Sequence, residues 1–463
     1  MQRKHLSQAA RSRHDLVQAH TIAGILGLAL ASGACVGPGA DDGEGETSTD
    51  TAADTDTGED EGEACEPTAW WEFGLADPVL NEVALHYLGQ AWHRSADVAE
   101  VLETISRVED GDPWSWNTEW IKTAERLEQL AAASEADGHE RSASQAYLRA
   151  TTYYRASLHR HPDPFDPGVA ELADREVLAF AKYLALSGSP CEAVDIPYED
   201  TTLLGYLCVA GGGEPAPTLI FHEGKDGWAE DGKFVADEGL ARGYNVLLFD
   251  GPGMGKTIRR QGLPFRHDWE NVITPVVDYL VARPEVDPDR IGLFAVSMGG
   301  YFGPRAAAFE TRLAALVANP GVIDWYAVIL GQLDQIDPNL SGLLESDPAA
   351  FDATIAAIME VSDFVAWGIV DAMWHNGQTK PSELMADLAQ YRLDGLEQEI
   401  TARTLVIDAE AEPYGQSLAL YEAITAPKDY IMFTAEEAAQ FHVQPGASGI
   451  LTQRVYDWLD DNL

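Results

Sequence analysis

An apolar run broken by a tight turn around one serine constrains this chain more than any other feature. It reads Arg290-Ile-Gly-Leu-Phe-Ala-Val-Ser-Met-Gly-Gly, ending at Gly300, and continues as Tyr301-Phe-Gly-Pro-Arg-Ala-Ala-Ala. The first part has strand character and the second can start a helix after its proline. A serine at such a strand-to-helix turn, with small residues on both sides, has the pattern of a nucleophile elbow, whose strained turn lifts the hydroxyl clear of the sheet. Ala295 stands where that pattern has its first glycine. The alternative is an ordinary strand-to-helix turn that happens to carry a polar residue.

The two readings differ in what must follow. A serine hydroxyl is a poor nucleophile at neutral pH and needs a base, which needs an orienting acid. In α/β-hydrolases the chain order is Ser, then Asp or Glu, then His. Here Asp408-Ala-Glu-Ala-Glu-Pro follows the strand run Thr404 to Ile407, and Thr434-Ala-Glu-Glu-Ala-Ala-Gln-Phe-His442 follows the last strand run, just before a closing helix. Ser297 is therefore the expected nucleophile and His442 the base. Glu412 is the expected acid by its offset from the strand, with Glu410 and Asp408 as rivals. The oxyanion hole is expected from the amide of Met298 together with the loop His222-Glu-Gly-Lys-Asp-Gly, through Gly224 and Lys225. Asp226 and His222 of that loop are candidates to face the substrate, the alternative for Asp226 being a solvated turn residue.

Charge narrows the partners. The 463 residues include 76 acidic against 30 basic, a net charge of −46, so nucleic acid and anionic membrane surfaces are repelled. Much of the excess lies in Asp41 to Glu66, which has no basic and almost no apolar residue and reads as a solvated spacer. Ahead of it, Arg3, Lys4, Arg11 and Arg13 lead into the apolar run Thr21 to Ala34 and then Cys35. That is the composition of an export signal, too short for a comfortable membrane span. Small residues before a cysteine also fit a bacterial lipobox, although Ser32 stands where an aliphatic residue is usual. The expectation is an exported bacterial lipoprotein, periplasmic or at the cell surface, held to the membrane only by a lipid on Cys35. Plain secretion after a cut near Ala34 is the alternative. Of the other cysteines, Cys65 and Cys191 are expected to pair and Cys208 to be a small buried hydrophobe; no Cys/His spacing suggests a metal site.

Four regions follow: a leader (1–35), an acidic linker (36–68), a helical region (69–190) and an α/β region (191–463). In the helical region apolar residues recur at three and four, as in Val98-x-x-Val-Leu-x-x-Ile, the period of helices that bury one face. After Ser189-Pro190, strand runs begin at Ala193, Leu203, Thr218, Tyr244, Arg290, Leu313, Thr404 and Asp429. The later ones alternate with helical stretches, which implies an α/β fold with a mainly parallel sheet. A strandless helical stretch at about 324–400 reads as a lid over the strand ends. Asp250-Gly-Pro-Gly-Met-Gly-Lys256-Thr257 mimics a phosphate-binding loop, but Asp250 occupies the position of the first glycine, so it reads as a turn after a central strand.

Several of these segments together resemble a known family. Asp250-Gly-Pro-Gly-Met-Gly, Trp269-Glu-x-Val-Ile-Thr-Pro-Val-Val-Asp-Tyr, Ser297-Met-Gly-Gly-Tyr and Phe433-Thr-Ala-Glu-Glu-Ala-Ala-Gln-Phe-His are similar to the α/β-hydrolases related to 2,6-dihydropseudooxynicotine hydrolase and the FrsA-type esterases. In the helical region, Gly111-Asp-Pro-Trp-Ser-Trp-Asn-Thr-Glu-Trp and Tyr147-Leu-Arg-Ala-Thr-Thr-Tyr-Tyr-Arg155 resemble that family's N-terminal cap. The resemblance implies an α/β-hydrolase core under an all-helical cap, with no cofactor, Ser297 as nucleophile, His442 as base, and Glu412 where the family generally has Asp. It also implies a contribution from Asp226, and a small-molecule acyl or aromatic substrate cleaved at an ester or an activated carbon-carbon bond. A homodimer is the expected assembly. A serine peptidase and a non-catalytic binding protein on the same scaffold are the alternatives, and the filled triad positions argue against the second.

Overall fold

The computed structural model describes residues 71–75 and 77–463. The leader with Cys35, the acidic linker and Cys65 lie outside the described residues. The described chain opens with helices α1 (Pro78–Gly89), α2 (Val98–Ile105), α3 (Ser115–Ala136), α4 (Glu140–Leu158) and α5 (Pro167–Ser187). Local chemistry starts several of them: Asp77 accepts from the Val79 amide at 2.9 Å and Asp166 from the Gly168 amide at 2.6 Å, each followed by a proline at the first helical position, where its missing N–H costs nothing. Their buried faces meet in an aromatic core containing Tyr87, Trp116, Trp120 and Tyr153. The density of aromatic residues in this part of the sequence is thus mostly packing.

The second half is an eight-stranded sheet in the order β1-β2-β4-β3-β5-β6-β7-β8. Its strands are β1 (Cys191–Tyr198), β2 (Thr201–Cys208), β3 (Ala216–His222), β4 (Asn245–Phe249), β5 (Val286–Val296), β6 (Leu313–Asn319), β7 (Arg403–Ala409) and β8 (Lys428–Phe433). β1 pairs with β2 and β2 with β4 antiparallel, and the neighbours from β4 to β8 are parallel. This is the mainly parallel α/β sheet anticipated from the strand runs. The central strands are buried almost throughout because helices cover both faces. Five helices between Trp325 and Leu388 separate β6 from β7.

One buried cluster fastens the helical half to the sheet half. Arg155 of α4 donates to Asp231 Oδ1 at 2.7 Å and reaches Glu176 of α5 at 3.5 Å, with all three side chains nearly inaccessible. Gln90 also donates to Asp231, at 3.3 Å. An ion pair removed from water costs more to break than it stabilises when made, because removing one partner strands a charge in low dielectric. It therefore fixes how the two halves meet. Lys256 of the glycine-rich turn is likewise buried, held by Glu230 at 2.7 Å and Asp250 at 2.8 Å. Its ammonium is committed to carboxylates, which agrees with reading that turn as structural.

The cysteine expectation needs correction. Cys191 pairs with Cys208, not with Cys65. The antiparallel register of β1 and β2 places the two residues directly opposite each other with Cα atoms 3.8 Å apart, so the sheet brings together sulfurs that sequence spacing left unconnected. Cys208 is buried as expected, but as half of a disulfide. Peptide mapping without reductant should recover a linked Cys191–Cys208 fragment. The double variant Cys191→Ser/Cys208→Ser should lose about 3 kcal/mol in urea denaturation, the loop-closure value for a ring of this size.

Candidate active site

Ser297 sits at the end of β5 with φ of 59°, a left-handed conformation that costs a non-glycine residue about 1–3 kcal/mol. Its amide donates to Asn319 O at 2.7 Å and its carbonyl accepts from the Gly300 amide at 2.8 Å. Close packing surrounds the turn: a Cβ on Gly300 would lie 1.7 Å from Pro320 O, and one on Gly224 would lie 2.5 Å from Met298 N. Gly224 lets the loop after β3 approach the serine turn. Ala295 is accommodated because Gly299 and Gly303 of the following helix face its methyl, where Cβ atoms would stand 3.3 and 3.0 Å away.

The serine hydroxyl lies 2.9 Å from His442 Nε2, and His442 Nδ1 lies 2.8 Å from Glu412 Oε2. Nδ1 has a carboxylate as acceptor, so it carries the proton and Nε2 is left to accept from the serine. His442 is held on the loop after β8, which turns sharply through Val443 and Gln444, both at φ of 53°. The rival acids are occupied elsewhere: Glu410 accepts from the Ala435 amide at 2.5 Å and Asp408 from the Tyr430 hydroxyl at 2.5 Å. Glu412 also accepts from the Tyr414 amide at 3.2 Å, which fixes its carboxylate toward the imidazole.

Tyr414 is a site residue that sequence reading missed. Its hydroxyl is 3.5 Å from Ser297 Oγ and 3.4 Å from His442 Nε2, and its ring packs edge-on against His442 and Trp325. Burial pushes its phenol well above the ordinary value, with the Glu412 charge adding to the shift, so it stays a neutral donor. Nothing in the sequence marks it except its place two residues after the candidate acid Glu412.

The loop after β3 departs from expectation at His222. This residue is fully buried among Phe249, Trp269 and Phe302, and its Nδ1 donates to Glu223 O at 2.8 Å. Burial lowers its pKa to about 4. It packs under the site and does not face a substrate, because the strand's alternation turns position 222 into the core. Lys225 and Asp226 do reach the cavity. Asp226 takes a left-handed φ of 67° and binds Lys225 Nζ at 2.8 Å and His375 Nε2 at 3.2 Å. Lys225 also donates to Asp371. Asp226, Asp371 and His375 present ligand-type atoms within 4.8 Å of one another, but the Lys225 ammonium already supplies their counter-charge.

Ser297 and His442 open onto a cavity of about 150 Å³ between the two halves of the molecule, lined by Glu82 and His86 of α1 and Gln90 just beyond it on one side and by Glu223, Asp226 and Gln444 on the other. A strained serine in contact with an oriented imidazole, facing a cavity, is an arrangement suited to acyl transfer.

Residues 206–449 match the family model described as "Alpha/beta hydrolase family". The chain is 31% identical over 415 residues to "Alpha/beta hydrolase psoB" of Aspergillus fumigatus, covering 83% of this chain and 93% of that protein. It is 30% identical over 408 residues to "20-hydroxy-prefusarin hydrolase FUS2" of Gibberella moniliformis, covering 83% and 97%. Among solved structures it is similar in fold to 2,6-dihydroxy-pseudo-oxynicotine hydrolase, with a TM-score of 0.62 at 19% identity over 81% of this chain and 95% of that one. The curated relatives are fungal, which overturns the expectation of an exported bacterial lipoprotein anchored at Cys35. No helix among the described residues is long and apolar enough to cross a membrane. With this fold and these relatives, the chain belongs to the Alpha/beta hydrolase family and is an enzyme with hydrolase activity.

Proposed function

We propose that this enzyme is a serine hydrolase that cleaves a carboxylic ester or an activated carbon-carbon bond next to a carbonyl, acting on a small acyl or aromatic molecule. The observation that carries the reading is the unbroken chain from Ser297 Oγ through His442 to Glu412, at 2.9 and 2.8 Å. Ser297 attacks the carbonyl carbon while His442 Nε2 takes the hydroxyl proton, and Glu412 stabilises the imidazolium that forms. The amides of Met298 and of the Gly224–Lys225 loop are the proposed donors to the oxyanion, supported by the contact of Gly224 with Met298 N. The imidazolium then gives its proton to the leaving oxygen or carbon, and water, activated by the same histidine, releases the acyl group. The small cavity favours a compact substrate, and the name of one relative specifies a small molecule, 20-hydroxy-prefusarin.

Labelling with a neutral fluorophosphonate tests the nucleophile. Wild type should label and Ser297→Ala should not, whereas His442→Ala should label much more slowly. A folded wild type that fails to label would sink the proposal, and a labelled Ser297→Ala would move the nucleophile elsewhere. Turnover of p-nitrophenyl esters, β-diketones and peptide amides then sorts the bond cleaved. On the best of these, Glu412→Gln should lower kcat by about 10²–10⁴-fold through loss of the oriented tautomer. Gly224→Ala should cost about a hundredfold, because its methyl must displace the Met298 amide by a distance comparable to an ångström.

A further inference from the structure

The Tyr414 hydroxyl touches both reacting atoms of the proposed triad, 3.5 Å from Ser297 Oγ and 3.4 Å from His442 Nε2. Those two atoms are its hydrogen-bond partners among the described residues. The side chain is buried, and a buried hydroxyl is favourable only where its proton and lone pairs are used. Its position is held from three sides. The Tyr414 amide donates to Glu412 Oε1 at 3.2 Å. The His442 ring lies 4.7 Å from the phenol ring at 60°, and Trp325, which opens the first helix after β6, lies 4.9 Å away at 84°. Tyr414 does not line the cavity onto which Ser297 opens, so its hydroxyl meets the nucleophile and the base rather than a departing group of the substrate.

The shorter contact decides where the protons lie. His442 Nε2, 2.9 Å from Ser297 Oγ, accepts the serine proton, which uses its lone pair. The Tyr414 proton is left for Ser297 Oγ, which has lone pairs to receive it. Burial, with the Glu412 charge adding to it, pushes the phenol well above its ordinary value, so tyrosine keeps its proton at neutral pH. When Oγ gives up its own proton and bonds to the carbonyl carbon, negative charge passes through that oxygen. A donor already aimed there strengthens as the charge grows and needs no reorganisation. The imidazolium that results carries a new N–H, and the Tyr414 oxygen, 3.4 Å away, has a lone pair to accept from it.

Resting on the serine hydrolase reading, we propose that Tyr414 is a further catalytic residue, a neutral donor that stabilises the charge on Ser297 Oγ during attack and keeps its own proton. In that step the Oγ–H bond breaks, the Nε2–H and Oγ–C bonds form, and the Tyr414 O–H bond is retained. Contacts of 3.4 and 3.5 Å are long for hydrogen bonds, as catalytic ones often are before substrate binds, and they tighten as charge develops. A tyrosine that served only to pack His442 would need its ring and not its hydroxyl.

Tyr414→Phe removes the hydroxyl and keeps the ring against His442 and Trp325. Its limiting rate of labelling by the neutral fluorophosphonate should fall about 10- to 100-fold, the range for one hydrogen bond to a charged group. The probe concentration that gives half that rate should stay unchanged, because the contact matters only in the transition state. Tyr414→3-fluorotyrosine, a more acidic phenol of nearly the same shape, should label at least as fast as wild type, a response that packing alone does not produce. Labelling of Tyr414→Phe at the wild-type rate, or of the fluorinated enzyme as slowly as Tyr414→Phe, would overturn the assignment. The fluorinated enzyme decides the matter if Tyr414→Phe fails to fold. The two readings fail separately: an unaffected Tyr414→Phe beside a wild type that labels sinks only the tyrosine's role. A folded wild type that never labels sinks the serine hydrolase reading and this role with it.

Discussion

The left-handed backbone of Ser297 is the constraint on which the site depends. A side chain at φ of 59° is unfavourable by itself, and the surrounding structure must over-determine it. It does so with two backbone hydrogen bonds on the serine and with neighbours that present no Cβ. Gly300 allows the turn to approach Pro320, and Gly224 allows the loop after β3 to approach Met298. The same packing that holds the strain brings the β3 loop alongside the turn. Strain, the position of the proposed nucleophile and the proposed oxyanion donors are therefore one packing solution. The loop after β8, with its own two left-handed residues, then carries His442 to the exposed hydroxyl.

A second dependency runs between the halves of the molecule. Arg155 and Glu176 come from the helices and Asp231 from the loop region after β3. Their burial makes the docking geometry specific, since any sliding would separate charges that water cannot reach. That geometry creates the cavity and places α1 opposite Ser297. Gly89 at the end of α1 also meets Gly446 of the His442 loop so closely that a Cβ there would lie 2.7 Å from Gly446 Cα. The helices thus support the His442 loop as well as closing the space above it, and the chemistry of that space is set by residues far apart in the chain.

Much of this was legible in the sequence, for reasons that can be named. The central strands were visible because buried parallel strands are short, continuous apolar runs bounded by turns. Ser297, the acids after β7 and His442 were visible because chain order and position after a strand restrict where such groups can lie. Glu412 could be preferred over Glu410 and Asp408 only by offset; the direction of each carboxylate, fixed by Tyr430, Ala435 and Tyr414, needed coordinates. His222 was misjudged because one residue of strand alternation separates a core position from a cavity position. Cys191 was assigned the wrong partner because strand register, not sequence distance, decides which sulfurs meet.

By itself the sequence determined what repeats locally: helix and strand periodicity, capping residues, the small residues of the serine turn and the order of the chemical groups. Those properties depend on neighbours a few residues away. Only the tertiary structure decided which of these groups touch. It placed Tyr414 against both Ser297 and His442, paired Cys191 with Cys208 and buried Arg155 against Asp231. Contact and burial are set by the packing of distant segments, and it is burial that turns an ordinary carboxyl into one that needs a partner.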